Sequence, residues 1–307
     1  MGYVAGIGGA NIDIHGQSDG PVILRDSNPG RMHLTMGGVM RNILENLARL
    51  GVSVKPASVV GDDLYGQMLR TGCGALGMDT SYLQTRPGQR SSSYISIMDD
   101  EGDMLVAMSD MHILKELGGE FVAGCLDMLN QAELVVCDGN LSPDALRYLT
   151  THCTRPLYLD PVSTTWAKGL VPYIGCFDTI KPNCMEMEIL ADMPIKTEDD
   201  LNRACDKVMA QGVRRCFVSM GKDGIFYKGP GGVLRGKAHN FNGLVNATGA
   251  GDATMAGIVY GTLLGQNEQD TLNTALAAGL VAIASGDTIS PRMSADELET
   301  MKKEFLL

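Results

Sequence analysis

The chain has 307 residues, with 25 Lys and Arg against 36 Asp and Glu, a net charge of -11 at pH 7. That length can bury one large α/β core or two modest ones without disulfide or metal staples, and the acidic balance argues against a nucleic-acid backbone binder. The 12 prolines and a hydrophobic fraction of 44% exclude collagen and disorder, and the 38 glycines point to tight turns and backbone lying close to a ligand.

In chain order, the apolar run at 3–9 predicts a buried first strand. Residues 11–36 read as polar and irregular, with a dense turn signal at Asp26-Ser27-Asn28-Pro29-Gly30. Gly37-Gly38 precede a predicted helix over 39–50, whose apolar positions Val39, Ile43, Leu47 and Leu50 fall at helical spacing. A strand follows over 52–60 and a helix over 63–76. Residues 92–98 alternate, turn at 99–102 and return over 103–108 as a hairpin.

Beyond this point the rhythm is regular. Strands are expected at 134–137, 157–160, 179–183 and 216–220, with a helix over 141–152 and a helical turn at 186–190. A further hairpin spans 225–228 and the region of Val233, and helices over 250–264 and 272–283 close the compact part. Such alternation predicts an α/β fold with a largely parallel sheet covered on both faces. Ligands in such folds sit outside the carboxyl ends of the strands, where Asp160, Asn183 and Ser219 fall. The segments near 14–36 and 90–110 break the rhythm and are expected to form a small separate β-sheet, a lid on a single domain spanning 1–307.

The eight cysteines include no C-x-x-C pair, and no secretory leader, myristoylation motif or apolar stretch of membrane-spanning length is evident. A cytoplasmic protein with reduced thiols and no membrane contact is therefore expected. The five histidines form no recognisable metal set, and Trp166 reads as packing.

Three glycine motifs compete for a phosphate. Gly6-x-Gly8 follows the first strand, but the third glycine of a dinucleotide fingerprint is replaced by Asn11. Gly231 through Gly236-Lys237 has P-loop spacing, yet Ala238 stands where the magnesium-binding hydroxyl belongs. Thr248-Gly249-Ala250-Gly251-Asp252 lies directly before an apolar helix. There, consecutive N–H groups and the helix N-terminus can hold a phosphoryl group while Asp252 accepts a proton from an attacking hydroxyl. The bland alternative is that Asp252 only caps the helix.

Gly249-Ala250-Gly251-Asp252 resembles the signature of the ribokinase-like, or pfkB, carbohydrate and nucleoside kinases. Gly37-Gly38-x-x-x-Asn42, Gly61-Asp62-Asp63-x-x-Gly66 and Asn183-x-x-Glu186 resemble three further blocks of that family, in order over essentially the whole chain. One departure is Ala247, where many members carry Asp. Within the family the similarity is greatest to the pseudouridine kinases, through residues 26–30, Gly37-Gly38-Val39-x-Arg41-Asn42, Ser92-Ser93-Tyr94 and Asp110-Met111.

The resemblance implies a three-layer ribokinase-like sandwich with a small β-sheet lid, ATP and Mg²⁺ as cofactors, and a dimer through the lid. The expected reaction is ATP-dependent phosphorylation of a ribose 5′-hydroxyl, that of pseudouridine, with another ribonucleoside or a free sugar as the alternative. A sensor that binds without catalysis is the reading from another class.

Asp252 is then the general base, and Gly249, Ala250 and Gly251 form the anion hole. Asn11, Asp13, Gly38 and Asn42 are expected on the ribose, with Ser93, Asp110 and residues of the 26–30 loop near the base. Arg41 either joins them or pairs with a carboxylate to hold the helix start. Asn183, Ser219, Gly221 and Gly224 shape the nucleotide side, where Lys181 either reaches a phosphate or lies on the surface. Glu186 is expected to act on Mg²⁺ through water, its alternative being a solvated helix residue. Asn246, Thr248 and carbonyls near Ser285 are implied as a K⁺ site.

Overall fold

The computed structural model describes residues 2–306. In chain order the strands begin with β1 (Val4–Ile7), β2 (Asn11–Ser18), β3 (Gly30–Gly37), β4 (Val54–Gly61), β5 (Leu83–Arg86), β6 (Ser93–Met98) and β7 (Met104–Asp110). They continue with β8 (Val135–Asp138), β9 (Leu157–Asp160), β10 (Thr179–Ile180), β11 (Arg215–Ser219), β12 (Ile225–Gly229) and β13 (Gly232–Gly236). Nine of them form one sheet in the order β13-β12-β11-β10-β9-β8-β1-β4-β5. From β11 to β5 every pairing is parallel, and the β11–β12 and β12–β13 pairings are antiparallel.

Helices cover both faces, because the apolar strands bury side chains on both sides. On one face lie α1 (Val39–Arg49), part of α2 (Leu64–Ala75), and the later pair α8 (Ala250–Leu263) and α9 (Glu268–Ile283). The other face takes α3 (Gly119–Gln131), α4 (Pro143–His152), α5 (Thr164–Leu170), α6 (Cys184–Ala191) and α7 (Glu198–Met209). Helix α10 (Ala295–Phe305) packs on α9. This is the expected three-layer α/β sandwich.

The chain between β1 and α1 differs from its reading as irregular. It folds into β2 and β3, which pair antiparallel over their full length; β2 also pairs parallel with β6, giving a second sheet ordered β3-β2-β6-β7. Alternation assigns that sheet two faces. Ile12, Ile14 and Met36 point toward α2 and pack with Val60, Leu69 and Leu83. Asn11, Asp13 and His15 point the other way.

Helices α3, α5, α7 and α10 and strand β5 had no counterpart in the sequence reading. Two were legible: Thr197 with Asp200 forms a capping box before α7, and Ser294 caps α10. Trp166, expected to pack, is 41% exposed on α5. Among the described residues no helix is long and apolar enough to cross a membrane.

Candidate active site

The first turn of α8 meets the carboxyl ends of β9 and β10. Gly249 is the N-cap, in the left-handed region at φ 79, and no side chain caps the helix. Asp252 therefore does not cap α8. Its Oδ2 accepts a hydrogen bond from Asn42 Nδ2 at 2.8 Å, from a helix 210 residues earlier in the chain. Burial pushes the Asp252 carboxyl up to about 7, and the nearby Asp160 charge adds to this; Asn42, Lys181 and Arg41 pull the other way. A carboxyl poised there exchanges protons near neutrality, as a general base requires.

Lys181 is not a surface lysine. It is buried and pairs with Asp160 Oδ2 at 3.1 Å. Burial alone would lower its pKa, but Asp160, Glu186 and Asp252 outweigh that and keep it charged. A Cβ placed on Gly251 would stand 3.3 Å from Lys181 Nζ, so the ammonium borders the glycine loop. Asp160, at the carboxyl end of β9, is thus part of the cluster. Its Oδ1 also accepts from Val162 N at 2.9 Å, holding that residue at φ 71, a costly angle for a β-branched side chain.

Asn183 and Glu186 form a reciprocal capping box on α6, each side chain accepting the other's backbone N–H at 2.9 Å. Glu186 is buried, not solvated, and desolvation raises its pKa. One of its oxygens is spent on the cap. Among the described residues no group of three or more His, Cys, Asp or Glu side chains is placed to hold a metal. That donor set suits a magnesium ion carried largely by phosphates and water, reached by one carboxylate.

On the sugar side, Asp13 accepts from Asn11 Nδ2 at 2.5 Å, and burial raises its pKa. Gly37 lies directly under the pair, since a Cβ there would meet Asp13 Oδ2 at 2.2 Å. Gly38, at φ 99, is pressed against Gly9 O and starts α1 without a capping side chain. The cap comes from elsewhere: fully buried Asp138 accepts from Met40 N at 3.0 Å, Gly9 N at 2.9 Å and Asn140 N at 3.0 Å. That carboxylate ties β8, the β1–β2 turn and α1 into one frame, and nothing local in the sequence marked it.

Two expected base contacts, Ser93 and Asp110, are corrected, and Arg41 takes the second of its two readings. Arg41 is 1% exposed and pairs with Glu45 at 2.6 Å, while also donating to Met36 O at 3.0 Å and Asn42 Oδ1 at 2.7 Å. It holds the helix start and orients the Asn42 amide. Ser93 and Asp110 pair in register on β6 and β7, and Ser93 lies beside Ile12. Both therefore sit on the opposite face of the small sheet from Asp13, and Asp110 bonds His112 at 2.7 Å. Asn42 in turn donates to Asp252 Oδ2.

On the nucleotide side, Ser219 bridges to Asn183, and the next turn needs Gly221 at φ 59 and Gly224 at φ 86. A Cβ on Gly224 would stand 2.0 Å from Gly236 O. Asn246 donates to Gly286 O at 3.3 Å and accepts from Thr248 N at 3.0 Å, and Ser285 accepts from Asp287 N at 3.1 Å. The loop thus uses both ends of the Asn246 amide. A cavity of about 490 Å³ lies elsewhere: Ser53, Glu133, Tyr158 and Arg215 line it at the amino ends of the strands, away from this cluster.

The chain matches the model of the pfkB family carbohydrate kinases over residues 1–295. It is 34% identical over 293 residues to the pseudouridine kinase of Escherichia coli strain K12, covering 95% of this chain and 94% of that one. It is also 34% identical over 298 residues to an uncharacterised sugar kinase of the same organism, covering 96% and 82%. A Clostridium perfringens structure described as a sugar kinase superposes with a TM-score of 0.89 at 31% identity, over 99% of this chain and 96% of that one. A buried aspartate at a glycine-capped helix start, an ammonium beside it and a match along nearly the full length agree: the chain belongs to the pfkB family of carbohydrate kinases and is an ATP-dependent phosphotransferase acting on a sugar or nucleoside.

Proposed function

We propose that the protein transfers the γ-phosphoryl group of ATP to the ribose 5′-hydroxyl of pseudouridine, giving pseudouridine 5′-phosphate and ADP. The observation that carries the chemistry is Asp252, buried beside the Gly249–Gly251 loop and aimed by Asn42. Its free oxygen takes the hydroxyl proton as the oxygen attacks phosphorus and the bond to ADP breaks. Backbone N–H groups of Gly249, Ala250 and Gly251, with the Lys181 ammonium, stabilise the charge gathering on the transferring oxygens. Bound Mg²⁺ would neutralise phosphate charge, with Glu186 reaching it through water and Asn183 holding Glu186 in place. Potassium, if used, would sit on carbonyls of the 246–248 and 285–288 segments.

The choice of pseudouridine rests on the 26–30 and 37–42 segments and on the pseudouridine kinase relative. The second relative, at equal identity, is named only as a sugar kinase, which keeps another ribonucleoside or a free sugar as the alternative. Initial rates of ADP release with pseudouridine, uridine, adenosine, inosine and ribose decide between them. Pseudouridine is expected to have the highest kcat/KM, and turnover of ribose or adenosine with none of pseudouridine refutes the assignment.

The small sheet acts as the lid of one domain, and the part of its apolar face that extends beyond α2 is covered by a second copy of the chain. Met32, Leu34, Ile95, Val106 and Met108 share that face and are exposed, Met108 by 72%. Light scattering is expected to give a dimer, and Met108→Asp a monomer. A monomeric wild-type protein at micromolar concentration rejects this.

A further inference from the structure

The face of the small sheet that carries Asp13 is mostly polar, with Ala107 and Met98 as its apolar positions. Register places Thr35, Tyr94 and Ser109 level with Asp13, and His33 and Ser96 level with His15 one step farther out on the same side. Thr35 Oγ1 is buried there with no hydrogen-bond partner. His15 Nδ1 is held by Ser96 Oγ at 2.7 Å across the β2–β6 pair, and Ser96 is itself buried. An unpaired buried hydroxyl is costly, and native proteins keep few of them. A tethered imidazole beside it leaves its second ring nitrogen to bond outward.

We propose that Thr35 and the His15–Ser96 pair form the nucleobase subsite, taking a pyrimidine ring that presents an N–H next to a carbonyl. The inference rests on the nucleoside reading above. Asp252 lies at the 5′ end of the sugar and Asp13 beside its ring, over Gly37. Strand β2 runs outward from there, and two residues at about 3.4 Å each put His15 about 7 Å beyond Asp13. A base attached to that ribose meets Thr35 and His15. The Thr35 oxygen both accepts and donates, so it can take the ring N–H that pseudouridine has and uridine lacks, leaving uridine with an unmatched contact.

Steady-state kinetics on Thr35→Val, Thr35→Ser and Ser96→Ala test this. Thr35→Val is expected to raise KM for pseudouridine about tenfold, leave KM for ATP unchanged and narrow the preference over uridine. Thr35→Ser, which returns the hydroxyl, restores both. Ser96→Ala shifts KM in the same direction as Thr35→Val by releasing the imidazole. If Thr35→Val keeps KM for pseudouridine within about twofold of wild type, or if Thr35→Ser fails to rescue it, the subsite is wrong while the kinase assignment stands. A wild-type enzyme that phosphorylates ribose and no nucleoside overturns both.

Discussion

Asp252→Asn is expected to lower kcat by about 10²- to 10⁴-fold, the usual contribution of a positioned general base. Asn keeps the shape of the side chain and can still accept from Asn42 Nδ2, so nucleoside binding measured by calorimetry should stay close to wild type. Phosphotransfer within tenfold of wild type would mean that the hydroxyl proton leaves by another route. The pH profile gives a second reading of the same residue. The base works ionised, and burial has raised its pKa to about 7, so protonation removes it as pH falls through that value. The acid limb of kcat/KM is therefore expected near pH 7, falling about tenfold per unit below it. Asp160→Asn removes a neighbouring negative charge that raises this pKa and should move the limb to lower pH. A limb near pH 4 in the wild-type enzyme would place Asp252 in water and remove its claim to the role.

Gly249→Ala is expected to have the next largest effect. The backbone there stands at φ 79, and an added Cβ would lie 2.0 Å from Thr288 O, a backbone atom with little room to move. The left-handed angle alone costs about 1–3 kcal/mol in a residue with a side chain. The clash also pushes the 248–252 turn away from its neighbour, so kcat should fall about 10²- to 10³-fold, as when a single oxyanion donor is lost. Gly51→Ala separates the two causes. It shares the positive angle, φ 81, but nothing lies within 4 Å of its added Cβ. That variant should lose about 1 kcal/mol of stability in urea titration and keep its kcat. Equal activity loss in both variants would show that strain, not displacement of the loop, governs the first.

The strand-and-helix rhythm and the glycine motifs were readable because they are local. Buried parallel strands need unbroken apolar runs, and α1 keeps its apolar positions at helical spacing, so both show in short windows of sequence. The 11–36 segment hid its two strands because much of it faces the cleft and solvent, and polar residues there mask the alternation that Ile12, Ile14 and Met36 preserve. Helix α3 begins on Gly118 and Gly119 with no side-chain cap, which removes the usual start signal.

The site divided along the same line. Sequence alone determined the α/β class, the glycine turn before α8 and the aspartate that follows it, since each depends on neighbours a few residues away. Tertiary structure alone decided what those residues touch. Arg41 turned inward to Glu45 and Asn42 because its position on α1 faces the core. Ser93 and Asp110 fell on the far face of the small sheet because strand register, set by pairing with β2, fixes the side of every second residue. Asp138 and Asp160 gained their roles from backbone and ammonium groups brought from distant parts of the chain, which no window of sequence contains.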